Sequence, residues 1–181
     1  MLNKKHSLKK VTYLYIGFQL FFSLFLWLPV FYEFQLQIGL SKTEFFNIQS
    51  LYYLSFCFLE VPTGWLADRW GYRKTLIIGA IILSVSNALP VALPIYNGIL
   101  WHFLLLATAR SFISGAASAY LYEYLKQKKA TDIYKTIEGK GRAWGLIGKV
   151  CCWPFVGILM SIYLALPYVI TTLFSLCSVY F

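Results

Sequence analysis

The sequence predicts an all-α polytopic membrane protein of six crossings, and three observations carry that prediction: composition, six apolar runs of bilayer length, and the placing of basic residues between them. Of 181 residues, 59% are hydrophobic, 19% aromatic and only 13% charged. A soluble domain has roughly 45–50% apolar and about 25% charged residues. A net charge of +9 raises nucleic acid as a partner. A nucleic-acid binder collects its basic residues on one face of a soluble fold, whereas here they cluster between apolar runs. Membrane topology accounts for the charge, and no nucleic acid is expected.

A bilayer core takes roughly 20 apolar residues per helix, and approximate spans fall at 11–32, 46–66, 75–95, 98–125, 142–163 and 167–181. The first follows MLNKKHSLKK and looks like a secretory signal. It is too long for one and lacks a small-residue cleavage site, so it is expected to remain as a membrane helix. The separators are EFQLQIGLSKTE, DRWGYRK, PIYNG, KQKKATDIYKTIEGKGR and ALP, built from turn formers and charge.

Orientation follows from Lys and Arg, which favour the cytoplasmic side. Lys4, Lys5, Lys9 and Lys10 precede the first span; Arg69, Arg73 and Lys74 follow the second; Lys126, Lys128, Lys129, Lys135, Lys140 and Arg142 separate the fourth from the fifth. These alternate loops hold 13 basic residues against Lys42 alone on the other side. A cytoplasmic N-terminus follows, in a multi-pass protein of the cell membrane with the lipid bilayer as its surroundings. Trp70, Tyr72, Trp101, Tyr122, Tyr124 and Trp144 lie near span ends, where amphipathic rings suit the headgroup boundary.

Catalytic and cofactor patterns are missing. GLIGKV at 145–150 approaches a phosphate-cradling loop but has Ala143 at the first glycine position and Val150 in place of the magnesium-binding hydroxyl. Gly139, Gly141 and Gly145 miss the dinucleotide spacing by one residue. His6 and His102 stand apart, and no hydrolase or zinc-protease pattern occurs. Cys57, Cys151, Cys152 and Cys177 all fall in apolar segments with no metal spacing and read as small packing residues. Neither an enzyme nor a cofactor is expected.

Charge inside the spans is the informative feature, because a charged side chain at bilayer depth costs about 2.5–3.5 kcal/mol on insertion scales. Glu60, Arg110 and Lys149 are the three candidates. Glu60 and Lys149 lie roughly 10 Å inside the cytoplasmic ends of their helices, and Arg110 is near the middle of the fourth. They line a polar cavity and act on substrate or a proton, or Glu60 and Lys149 snorkel to the near interface. The separator Asp68–Lys74 is short enough to make the second and third spans antiparallel neighbours. Gly64 allows another helix to approach, Gly71 permits a turn with positive φ, and Asp68 sits among cations.

GWLADRWGYRKTL, residues 64–76, resembles the signature loop between helices two and three of the major facilitator superfamily, a pattern close to GxLaDrxGrkxxl. Gly64, Leu66, Asp68, Arg69, Gly71, Arg73 and Leu76 match in order, while Tyr72 stands where the family usually has an arginine in a charge relay with the aspartate, so that Arg73 would take its part. ARSFISGAASAYLYEYL, residues 109–125, resembles the fourth helix of bacterial efflux-type members, with the Arg110–Gly115 spacing one residue longer than the commoner pattern. EVPTG, with Glu60, also looks like a subgroup of small-molecule exporters.

The resemblance implies a secondary transporter, with proton-coupled export of a small molecule as its activity. Arg110, Glu60 and Lys149 would serve substrate or proton coupling, and Gly64, Asp68, Arg69, Gly71, Arg73 and Glu123 would form a conformational latch. Family members usually have two six-helix halves. Residues 1–181 are therefore expected to form an N-terminal half cut within helix six, partnered by a missing C-terminal half or by a second copy. The alternative is a truncated, non-transporting membrane protein acting through partner binding or self-protection.

Overall fold

A computed structural model describes residues 2–180 of the chain, with side chains from Leu8 onward. The side chains of Lys4, Lys5 and His6, and Phe181 at the end of the last expected span, fall outside the described residues. The described residues are helical, without a strand, in eight α-helices: α1 (Leu2–Ser23), α2 (Phe31–Gln37), α3 (Lys42–Trp70), α4 (Tyr72–Ala92), α5 (Tyr96–Gln127), α6 (Tyr134–Cys152), α7 (Val156–Ile162) and α8 (Leu166–Tyr180). Short 3-10 turns at Thr131–Ile133 and Trp153–Phe155 lead into α6 and α7. Among the described residues, three stretches are long and apolar enough to cross a membrane: Tyr72–Ala92, Tyr96–Gln127 and Thr131–Ile162. In α3, Asn47, Gln49, Tyr52, Tyr53 and Glu60 lower the hydropathy of a helix that is otherwise long enough.

The first expected span, 11–32, is not one helix. α1 stops at Ser23, and residues 24–30 run as a non-helical segment whose first four residues, Leu24 to Trp27, are buried. Ser23 Oγ donates to the carbonyls of Gln19 and Leu20, a side-chain bond that competes with the helix ladder, and Pro29 disfavours helical backbone at Leu28. Irregular backbone away from water needs partners. Here the Leu26 amide donates to Thr171 Oγ1 at 3.0 Å, and the Phe25 carbonyl accepts from Trp153 Nε1 at 3.3 Å. Trp27, 2% exposed, stacks on Tyr168 with centroids 5.5 Å apart and donates its indole N–H to Asn87 Oδ1 at 3.0 Å. Asn87 in turn donates to Ser175 Oγ at 2.7 Å, joining α4, the non-helical segment and α8.

The helices that follow are tightly connected. Ser41 and Glu44 form a reciprocal capping box at the start of α3, and the hydrogen bonds from Ser41 hold the Glu44 carboxyl below its usual range. The expected seven-residue separator Asp68–Lys74 is a single non-helical residue: α3 runs through Trp70, α4 starts at Tyr72, and Gly71 between them has φ +88°. L-residues rarely adopt that backbone, so glycine is required there. α4 lies between α5 and α8, α3 packs on α5, and α1 packs on α6 and α8. Ser86 and His102 tie α4 to α5 reciprocally: Ser86 Oγ donates to the His102 carbonyl at 2.8 Å, and the geometry assigns the His102 proton to Nδ1, 2.7 Å from the Ser86 carbonyl.

Val11 and Leu14 of α1, Arg73 of α4, Tyr120 of α5 and Ser178 of α8 line one recess of about 110 Å³. The basic segments before the α1 core, at the α3–α4 turn and between α5 and α6 therefore gather at one end of the bundle, and the Trp27–Asn87–His102 cluster occupies the other. The cysteines depart from their expected packing role, since Cys57, Cys151 and Cys177 are exposed and Cys152 half-buried, all unpaired. They sit on outward faces of their helices.

Candidate functional site

Arg110 lies 14 residues into α5 and 17 before its end, which at 1.5 Å per residue is about 21 Å from one terminus and about 25 Å from the other. It is exposed on the open face that α5 shares with α3. Its Nη1 donates to Tyr52 Oη at 2.7 Å, and its guanidinium carbon stands 5.7 Å from the Phe56 ring centroid. Tyr52 and Phe56 are one turn apart on α3, so that helix offers Arg110 a hydroxyl and an aromatic face. Lys149, half-buried on α6, holds its ammonium 5.9 Å from the Trp153 ring centroid and is close enough to Arg110 for the two charges to act on each other. The structure thus brings Arg110 and Lys149 together from different helices.

Glu60 is exposed one turn beyond Phe56 and borders a groove of about 170 Å³ between α3 and α5, with Thr63, Gly64, Ser111, Ser114 and Gly115 along it. Among the described residues no carboxylate lies within 4.0 Å of Arg110 or Lys149, and Glu60 has no cation at that distance. Glu60 and Lys149 therefore do not form an ion pair with each other. Gly64 and Gly115 have nothing within 4 Å of where a side chain would begin. Among the described residues no helix uses the close approach that Gly64 permits.

The basic end holds the residues that the sequence resemblance assigns to a latch. Asp68 accepts a hydrogen bond from Tyr72 Oη at 2.8 Å across the Gly71 turn, so the tyrosine occupies the partner role expected of Arg73. Arg73 instead lines the recess with Tyr120 and Ser178, and Arg69 lies 4.1 Å over the Trp65 ring. Glu123 pairs with Lys126 at 3.8 Å and stands within electrostatic reach of the Tyr72 hydroxyl. The turn and the end of α5 are thus neighbours, linked through Tyr72.

Glu138, unremarked in the sequence, is the centre of a larger network. It accepts from Tyr15 Oη of α1, from Ser118 Oγ of α5 at 3.2 Å and from Arg142 Nε at 3.0 Å, while Gln19 Nε2 donates to the Tyr15 oxygen at 2.9 Å. Its side chain is 12% exposed, which makes it the acid that fastens three helices at this end. In the sequence it sits in the charge-rich separator between the fourth and fifth spans, with no pattern separating it from solvated neighbours. Among the described residues no cluster of three His, Cys, Asp or Glu side chains is placed to hold a metal ion.

No protein-family model, no curated protein and no solved structure matches the chain.

Proposed function

We propose that the chain is a six-crossing bundle of a secondary transporter, with α1, α3, α4, α5, α6 continued by α7, and α8 as the crossings and the N-terminus in the cytoplasm. It works as one half of a two-bundle machine in the manner of the facilitator superfamily that residues 64–76 and 109–125 resemble, rocking against a second bundle around a site near the midplane. Its cargo is a small molecule, and proton-coupled export is the mode. What supports this reading is that Arg110, Lys149 and Glu60, each within a long apolar stretch of sequence, form no ion pair among the described residues. Charges placed there are expensive and mark a substrate or ion path. Asp68, Gly71 and Tyr72 supply a turn that can latch one conformation of the basic end.

Export of a panel of fluorescent small molecules from cells carrying the gene tests it. Arg110→Ala and Asp68→Asn are each expected to lower export at least tenfold, with the amount of protein in the membrane unchanged. Unchanged export in both variants removes the mechanism.

A second reading, a membrane protein that acts by binding a partner, is favoured by the groove at Gly64 and Gly115, whose small residues leave room for a foreign helix. It predicts a phenotype without flux, and a co-purifying partner lost on Gly115→Leu.

A further inference from the structure

Arg110 and Lys149 are two cations on one face, near enough to repel, with no carboxylate within 4.0 Å of either among the described residues. Lys149 lies seven residues into the apolar span 142–163, about 10 Å from its near end, and Arg110 lies near the middle of α5. Each carries a desolvation cost at that depth, and their mutual repulsion adds to it. Tyr52 and the aromatic rings reduce the cost only in part. Because Tyr52 Oη already accepts from Arg110, its own O–H remains free to donate. The guanidinium and the Tyr52 hydroxyl are then adjacent donors without an acceptor, with the Lys149 ammonium within electrostatic reach; the Phe56 ring lies beside Arg110 and the Trp153 ring beside Lys149.

We propose that Arg110, Lys149 and the Tyr52 hydroxyl bind the carboxylate or phosphate group of an organic anion whose apolar or aromatic body lies against Phe56 and Trp153. An anion neutralises the pair, a planar guanidinium recognises carboxylate and phosphate geometry, and the rings accommodate the apolar body. An anionic lipid headgroup has the same charge chemistry. Headgroups sit at the interface, however, while Arg110 is about 21 Å from one end of α5 and about 25 Å from the other, so the observations favour a free organic anion. The proposal deepens the transport reading by naming the cargo class, but binding is measured without flux.

The test uses the purified chain in nanodiscs, with benzoate and phenyl phosphate as probes and benzylammonium as the cationic control, followed by thermal shift and by fluorescence of Trp153 against a Trp153→Phe background. Benzoate or phenyl phosphate is expected to raise the melting temperature saturably and benzylammonium to leave it unchanged. Arg110→Gln and Lys149→Gln are each expected to weaken anion binding tenfold or more, with Arg110→Lys retaining part of it. Equal response to benzylammonium, or unchanged anion affinity in both glutamine variants, overturns the proposal. So does a shift produced by replacing phosphatidylcholine with phosphatidylglycerol to which the soluble anions add nothing. Anion binding without export sinks the transport reading and leaves the site; export without anion binding does the reverse.

Discussion

Gly145→Leu is expected to abolish stable insertion of the folded bundle, and Gly145→Ala to lower its melting temperature measurably. α6 meets α1 through three glycines on one face. A side chain at Gly141 would meet Tyr15 and Gln19 at 3.1 Å, and one at Gly148 would meet Leu20 Cδ1 at 2.7 Å. At Gly145 a methyl would overlap Ser23 Oγ and lie 3.3 Å from the Gln19 carbonyl oxygen, which is helix backbone and cannot turn away. Overpacking of this kind typically costs about 1–3 kcal/mol, and more where backbone must move. Small residues at helix contacts are the means by which membrane helices approach closely. Ser23→Ala removes the overlapping oxygen, so Ser23→Ala combined with Gly145→Ala is expected to recover part of the loss. Thermal unfolding of the four proteins in detergent checks this; a Gly145→Leu chain as stable as the parent would show that α1 and α6 do not pack as described.

Asn87→Leu is expected to destabilise the opposite end of the bundle by about 2–4 kcal/mol, because a buried donor left without a partner costs about 1–3 kcal/mol in addition to the lost bonds. Asn87 is fully buried and is the acceptor of the Trp27 indole N–H and a donor to Ser175. Ser175 Oγ keeps its own bond to the Thr171 carbonyl at 2.8 Å, so the orphan created is chiefly the Trp27 N–H. Trp27→Phe removes that donor while keeping an aromatic face against Tyr168. The double variant Asn87→Leu with Trp27→Phe is therefore expected to lose less than the sum of the two singles by about 1 kcal/mol. Strict additivity in a double-mutant cycle would show that the bond contributes nothing.

Part of this architecture is legible in the sequence for plain physical reasons. Long apolar runs can only be helices if they meet lipid, and α4, α5 and the stretch through α6 and α7 were marked that way. The basic segments were assigned to one side, and the fold brings them to one end. Gly71 stood between two helical stretches with charge around it, and its φ is positive. Arg110 drew attention because a cation inside an apolar helix is expensive wherever the helix sits.

Other features depend on partners far away in the chain. The break after Ser23 lies inside one apolar run, and its backbone is satisfied by Thr171 and Trp153, more than 120 residues later. Gly141 and Gly145 fit no nucleotide-binding spacing, and the partner that gives them meaning is α1. Glu138 was hidden among solvated charges because its burial is created by Tyr15 and Ser118 from other helices. Tyr72 entered as a departure from a charge relay, yet its hydroxyl reaches Asp68 from four residues away.

The central claim is that Arg110 faces an aqueous path at the middle of the membrane, and one labelling experiment addresses it without knowledge of the cargo. In a chain carrying Cys57→Ala, Cys151→Ala, Cys152→Ala and Cys177→Ala, Arg110→Cys is exposed to a membrane-impermeant thiol reagent in intact cells and in inverted vesicles. The account predicts reaction of Cys at this position from at least one side. A folded protein in which that thiol reacts from neither side, while a permeant reagent labels it, would place Arg110 against lipid and contradict the account.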